Sequence, residues 1–174
     1  ATYRDVIRFV DNLGRLGTGD GDVVFHNTLA ASDYGLLDED GFVPRPNYWA
    51  AVLWAKLMGP EVLTVTAGIE IPDLSVSAHC TSGNKGSISY AVVNSSAAEA
   101  RTVATGSGNA TAYLLTSDSL DSTSIELNGT VLRANTDGTL PKLDGRSVDG
   151  ALGVTVPPAS VAFVTSGTQV SACS

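Results

Sequence analysis

DVVFHNTLAASDYGLLDEDGFVPRPNYWAAVLWAKLMG, from Asp22 to Gly59, is the stretch whose reading decides the fold. The short apolar run Val23 to Leu29 follows a Gly/Asp turn and predicts a buried strand of the kind found in parallel sheets. Ala30 to Arg45 reads as a long loop with the acidic run Asp38-Glu39-Asp40, and Pro44 and Pro46 stiffen its exit. Asn47 is placed to cap the next helix. That helix is expected over Tyr48 to Met58, with Trp49, Val52, Leu53 and Leu57 on its apolar face and Gly59-Pro60 as its stop. Upstream, Val6, Phe9, Val10 and Leu13 have the i, i+3, i+4, i+7 spacing of an amphipathic helix over Tyr3 to Leu16. The glycines at 14, 17, 19 and 21 end it. Strand, loop and helix together make one βα unit.

Beyond Val62 the hydrophobic period changes to two. Leu74, Val76, Ala78 and Cys80 alternate with Ser75, Ser77 and His79, which predicts a half-buried strand. Short strands separated by turns are expected near residues 87–94, 99–105, 110–116, 124–127, 130–134, 152–156 and 160–166. Asn128-Gly129, between Ile125-Glu126-Leu127 and Thr130-Val131-Leu132, signals a type I′ hairpin. This spacing suggests an antiparallel β-sandwich over residues 61–174. Residues 1–60 read instead as the C-terminal βα portion of a (β/α)8 TIM barrel, so the fold class is α/β plus β. A lone parallel strand leaves both edges unpaired. The barrel portion is therefore expected to need a preceding N-terminal barrel portion or a companion chain. In such barrels the loop after a strand lies at the catalytic face, which would put Asn27 to Gly41 along a site.

Composition narrows the function classes. Apolar residues make up 43% of the chain and charged residues 16%, a balance suited to an extracellular β-rich protein. The net charge of −8, with no basic run, argues against nucleic acid or heparin as partner. No apolar run is long enough to span a membrane. Cys80 and Cys173 have no metal-site spacing, and no cofactor motif is present. The two are read either as a bridge or as two buried thiols. Closing so long a loop would stabilise the fold by roughly 4–5 kcal/mol in the chain-entropy model. Asn94-Ser95-Ser96, Asn109-Ala110-Thr111 and Asn128-Gly129-Thr130 are N-glycosylation sequons and point toward secretion.

In order along the chain, TLAASDYGLLDEDGFVPRPNYWAAVLWAKLMG, Ala78-His79-Cys80, the Ile125 to Thr130 hairpin, Thr139-Leu140-Pro141-Lys142-Leu143, Pro157 to Val164 and Ser171-Ala172-Cys173 resemble heparanase and the plant heparanase-like β-glucuronidases, glycoside hydrolase family 79. The resemblance implies a retaining glycosidase that hydrolyses β-linked glucuronosyl units with two barrel glutamates, an acid/base and a nucleophile. It implies a glucuronic-acid-containing glycan or glucuronide as substrate. It also implies a location outside the cell, in the cell wall, or in a vacuole or lysosome. Glu39, Glu61, Glu70, Glu99 and Glu126 make no acid/nucleophile pair, so both catalytic glutamates are expected outside this chain. Tyr34 matches the family tyrosine whose hydroxyl helps recognise the uronate carboxylate, with Gly35 beside it. His26 and Asn27 match polar positions at the strand end facing the pocket. Ser32-Asp33 stand where family members often carry Gly-Asn.

Each of these residues also has a plainer reading. Tyr34 can be a packed loop tyrosine and His26 a core histidine. Asp38-Glu39-Asp40 can be a solvated loop rather than a calcium ligand set, and Gly17 to Gly21 is a turn rather than a phosphate loop. Trp49 and Trp54 have the chemistry to stack on sugars, but Trp49 sits at a core position. A non-catalytic structural or carbohydrate-binding glycoprotein of the same ancestry is the alternative to the glycosidase. The acidic balance favours plant- or microbe-type glucuronides over long heparan sulfate chains.

Overall fold

The computed structural model describes residues 1–19, 25–66, 70–106 and 108–174. In chain order the elements are α1 (Tyr3–Gly17), α2 (Pro46–Leu57), β1 (Met58–Leu63), β2 (Leu74–Thr81), β3 (Ile88–Asn94), β4 (Arg101–Val103), β5 (Asn109–Thr116), β6 (Glu126–Leu127), β7 (Thr130–Val131), β8 (Arg146–Asp149), β9 (Val154–Val156) and β10 (Ser160–Ser166). A 3₁₀ turn, Ser171–Cys173, follows.

Both predicted helices form. α1 buries Tyr3, Val6, Phe9 and Val10 along one stripe, with Asp5 in its first turn and Arg15 in its last, each favourable to the helix dipole. Its first amides are not capped by a side chain. Tyr3 N–H donates to Ser122 O and Arg4 N–H to Leu120 O, both at 2.8 Å, so a distant loop satisfies donors that a helix start leaves open. α2 opens with Pro46 in the first turn, where a missing N–H costs nothing. The expected cap is corrected here: Arg45 occupies the cap position, and Asn47 lies inside the helix, fully buried.

The strand expected over residues 23–29 is also corrected. Val23 and Val24 lie outside the described residues, and residues 25–29 have no strand structure. Phe25 is 86% exposed and Leu29 58%. Among the described residues no parallel neighbour stands there to pair such a strand.

Among the described residues the antiparallel half contains ten strands, two more than the turn spacing suggested. Eight form one sheet in the order β1-β2-β3-β10-β5-β6-β7, with β8 also pairing β5. β4 and β9 form a separate two-stranded ribbon. The layers are therefore unequal: the ribbon covers one face of the large sheet, and α1 and α2 cover the other. Val92, Ala112, Ala162 and Val164 pack with Val154 and Val156 on the ribbon side. Trp49, Leu53, Tyr3 and Val6 pack with Val93, Leu115, Val161 and Phe163 on the helix side. The helical and sheet segments thus share a core. β1 begins immediately after α2 and runs through Gly59-Pro60, with a register irregularity between Met58 and Val62. It lies at the sheet edge, where proline is tolerated.

Two further expectations can be compared directly. Asn128 and Gly129 have φ of 52° and 83°, the two positive values a type I′ turn requires. Cys80 and Cys173 form a disulfide with a Cα–Cα distance of 5.3 Å, tying the C-terminal turn to β2. β2 is half-buried over its first four residues, as its alternation predicts, and fully buried at Ala78, His79 and Cys80, with its polar side lying against α1. Ser75 Oγ donates to Asp11 Oδ1 at 2.5 Å. His79 is 5% exposed, donates from Nδ1 to Gly59 O at 2.7 Å, and meets the edge of Trp54.

Tyr3 Oη donates to Leu115 O at 2.7 Å, linking α1 to β5 inside the core. Burial pushes its phenol up to about 12 from 10.0. Above pH 10 the unfolded chain gives up this proton and the folded chain keeps it. The stability is present below pH 10 and is lost as pH rises toward about 12, amounting to roughly 2–3 kcal/mol. Urea unfolding across this window is expected to show the fall, and Tyr3→Phe to flatten it while costing about 1 kcal/mol at neutral pH.

Candidate functional site

The loop between α1 and α2 carries the residues that the sequence singles out. Its arms are joined by Leu37 N–H to Leu29 O at 2.8 Å, Arg45 N–H to Leu36 O at 2.9 Å, and a bridge between Leu37 and Pro44. Two side chains that sequence reasoning missed hold it. Arg45 Nη1 donates to Ser32 O at 2.6 Å. Asn47 Nδ2 donates to Asp5 Oδ2 at 3.0 Å and approaches Tyr34 O at 3.5 Å. Asn47 thereby ties the loop to both helices. Ser32 Oγ and Asn47 Oδ1 are buried with no hydrogen-bond partner among the described residues. The signal for these roles is the PRPN run before the helix, where local rules assign a cap instead.

Tyr34 sits at the head of this arrangement, 50% exposed. Its hydroxyl has no hydrogen-bond partner among the described residues and is free to donate to a ligand. Gly35 beside it is buried, and a Cβ there would lie 3.2 Å from Leu37 O, 3.2 Å from Ser32 O and 3.3 Å from Leu29 O. His26 and Asn27 are exposed, and the His26 ring meets the edge of Phe9 at 5.3 Å. His26 is therefore not a core histidine. Tyr34, Gly35, His26 and Asn27 all belong to this one loop, whose backbone Arg45 and Asn47 anchor to α2.

The acidic run behaves as a loop brace. Asp38 Oδ1 accepts from Gly41 N at 2.9 Å and Val43 N at 3.0 Å. These two amides, Gly41 first, hold the Asp38 carboxyl below its ordinary range. Glu39 and Asp40 are exposed, and no cluster of metal-ligating side chains occurs among the described residues. Glu99 pairs with Arg101 at 2.7 Å. Glu61 lies on β1 and Glu126 on β6, so the glutamates sit on separate elements.

The three sequons differ in access. Asn94 is fully buried, and its Nδ2 donates to Glu99 O at 2.8 Å, Val156 O at 3.0 Å and Pro157 O at 2.9 Å. Those bonds hold the ribbon to the main sheet and leave no space for a glycan, so the expectation at Asn94 is corrected. Asn128 accepts from Leu114 N at 3.0 Å and donates to Asp144 O at 3.1 Å, which commits it to the hairpin. Asn109 is exposed at the start of β5, with no side-chain hydrogen bond among the described residues.

Glycopeptide mass spectrometry of the protein from a eukaryotic secretory host is expected to find glycan at Asn109 and an unmodified Asn94. Gly35→Ala is expected to lower stability by roughly 1–3 kcal/mol, read by thermal unfolding, because three backbone carbonyls must move to admit the methyl.

No family model matches the chain. Among curated proteins it is 30% identical to inactive heparanase-2 of Homo sapiens over 93% of this chain and 31% of that protein. It is 30% identical to heparanase-like protein 1 of Arabidopsis thaliana, over 99% of this chain and 38% of that protein. It is 29% identical to baicalin-β-D-glucuronidase of Scutellaria baicalensis, over 99% of this chain and 34% of that protein. The chain spans about a third of the length of these relatives. Among solved structures, an α-L-arabinofuranosidase from Thermotoga maritima superposes with a TM-score of 0.65 at 20% identity, over 95% of this chain and 38% of that one. The arabinofuranosidase from Xanthomonas axonopodis pv. citri gives 0.60 at 13% identity, over 94% of this chain and 35% of that one. These likenesses bear on the fold alone.

Proposed function

The chain is homologous to heparanase, the heparanase-like proteins and baicalin β-D-glucuronidase, glycoside hydrolase family 79, and from that premise we propose that it is the C-terminal part of a retaining β-glucuronidase. In this reading residues 1–60 complete a (β/α)8 barrel and residues 61–174 form its β-sandwich. The two catalytic glutamates come from a preceding barrel portion or a companion chain. The reaction places one carboxylic acid on the glycosidic oxygen and one carboxylate on the anomeric carbon, about 5–5.5 Å apart. This chain's part is to bind the sugar. Tyr34 donates its phenolic proton to the glucuronate carboxylate, a charge-assisted bond of high strength.

The observation that carries this reading is the unpartnered hydroxyl of half-exposed Tyr34, on a loop whose backbone is fixed by Arg45 and Asn47. A fixed donor loses little freedom when it meets the substrate. The protein acts on a glucuronic-acid-containing glycan or glucuronide outside the cell or in a lysosome, vacuole or cell wall, with a glycan at Asn109. Among the described residues no helix is long and apolar enough to cross a membrane.

A second reading has one specific observation in its favour: one of the relatives at 30% identity is named inactive heparanase-2. In that reading the protein keeps the glycan-binding loop and performs no hydrolysis.

The chain alone is expected to leave 4-nitrophenyl β-D-glucuronide intact. Associated with a barrel portion that supplies two glutamates, it is expected to hydrolyse it. Tyr34→Phe then lowers kcat/KM on the glucuronide by about tenfold or more and leaves the slow hydrolysis of the neutral 4-nitrophenyl β-D-glucoside unchanged. An assembled protein that binds glucuronides without cleaving them would favour the non-catalytic reading.

A further inference from the structure

A concavity of about 790 Å³ lies between the tip of the α1–α2 loop and the segment after β7. Phe42, Val43 and Tyr48 line one wall, and Leu132, Arg133 and Asn135 line the other. In a chain of net charge −8, this groove is lined by one cation and no carboxylate. Arg133 is exposed and has no ion pair or side-chain hydrogen bond among the described residues. An unengaged guanidinium keeps its planar fork of donors available for a carboxylate.

Phe42 is equally unusual. The residue is 65% exposed, and its backbone φ is +54°, a region that bulky side chains rarely adopt. Asp38 Oδ1 holds it there by accepting from the amides on either side, Gly41 and Val43. The loop therefore spends a carboxylate and a strained residue to keep an aromatic face in solvent, an arrangement typical of ligand-binding positions. An exposed aromatic surface beside a few fixed polar groups is the composition of a site for a ring with one apolar face and a charged substituent.

We propose that this groove is a second glycan subsite, in which Phe42 stacks on a sugar ring and Arg133 pairs with the carboxylate of a uronic acid in the same oligosaccharide. The proposal deepens the glucuronide reading, since one loop carries Tyr34 at its head and Phe42 at its tip. A groove with one unpaired cation and no carboxylate favours acidic sugars.

Isothermal titration of the purified protein with a glucuronate-containing tetrasaccharide, and with its carboxyl-reduced counterpart, tests this directly. The acidic sugar is expected to bind about tenfold more tightly than the reduced one. Arg133→Gln should shrink that preference several-fold, and Phe42→Ala should weaken both sugars several-fold. Both side chains are exposed, so melting temperatures should stay unchanged and exclude misfolding as the cause. Binding that neither substitution alters would overturn the subsite, as would equal affinity for the two sugars. Hydrolysis of 4-nitrophenyl β-D-glucuronide by the assembled protein separates the two claims. Acidic-sugar binding that depends on Arg133, without hydrolysis, leaves the groove standing and removes the glucuronidase. Hydrolysis with an Arg133-independent titration does the reverse.

Discussion

The structure depends on covering both faces of one sheet. β10 lies between β3 and β5 and is paired to both from Val161 to Thr165. Val161 and Phe163 point to one side and Ala162 and Val164 to the other, and all four are fully buried. A strand with two apolar faces cannot rest against water, so something must pack on each side. The helices supply one cover, chiefly through Trp49 and Leu53, and the β4–β9 ribbon supplies the other. The remaining elements follow from keeping those covers in place.

The polar groups inside this arrangement are the fastenings of the two covers. Asn94, with three carbonyl partners, ties the ribbon side to the end of β3. Tyr3 and the carbonyls of Leu120 and Ser122 fix the start of α1, and Asn47 joins α1 to α2 through Asp5. A buried polar group is costly when unpaired and stabilising when paired, so such residues define where each layer can sit. The loop that bears Tyr34 inherits its position from these fastenings, because its last residues run into α2 and its brace is Arg45 at the helix entrance.

Site and scaffold are thus separable by chemistry. Side chains that hold the loop are engaged within the fold: Arg45 donates to Ser32 O, Asn47 Nδ2 donates to Asp5, and Asp38 accepts from the Gly41 and Val43 amides. Tyr34 and Arg133 face outward with their donors unengaged, and Phe42 offers an exposed aromatic face. In an acidic protein this division decides what can approach. The general field repels anions, and recognition of an acidic sugar falls to a few exposed donors such as Tyr34 and Arg133.

The sequence by itself determined both helices, eight of the ten strands, the Asn128-Gly129 turn, the candidate Cys80–Cys173 bridge and the kinship with heparanase-like proteins. These rest on local periodicity, on turn chemistry and on ordered motifs, all of which are written in neighbouring residues. Tertiary structure decided the rest. Alternation in β2 told which side chains share a face, but not that Ser75, Ser77 and His79 would be roofed by α1. The short strands β1 and β8 exist because a partner strand offers them hydrogen bonds, and their own residues carry little pattern. Asn47 and Asn94 have the local signatures of a helix cap and a glycan acceptor. Each is instead engaged by partners that include groups 42 to 63 residues away, because a buried amide is assigned by whichever unsatisfied group the fold brings to it.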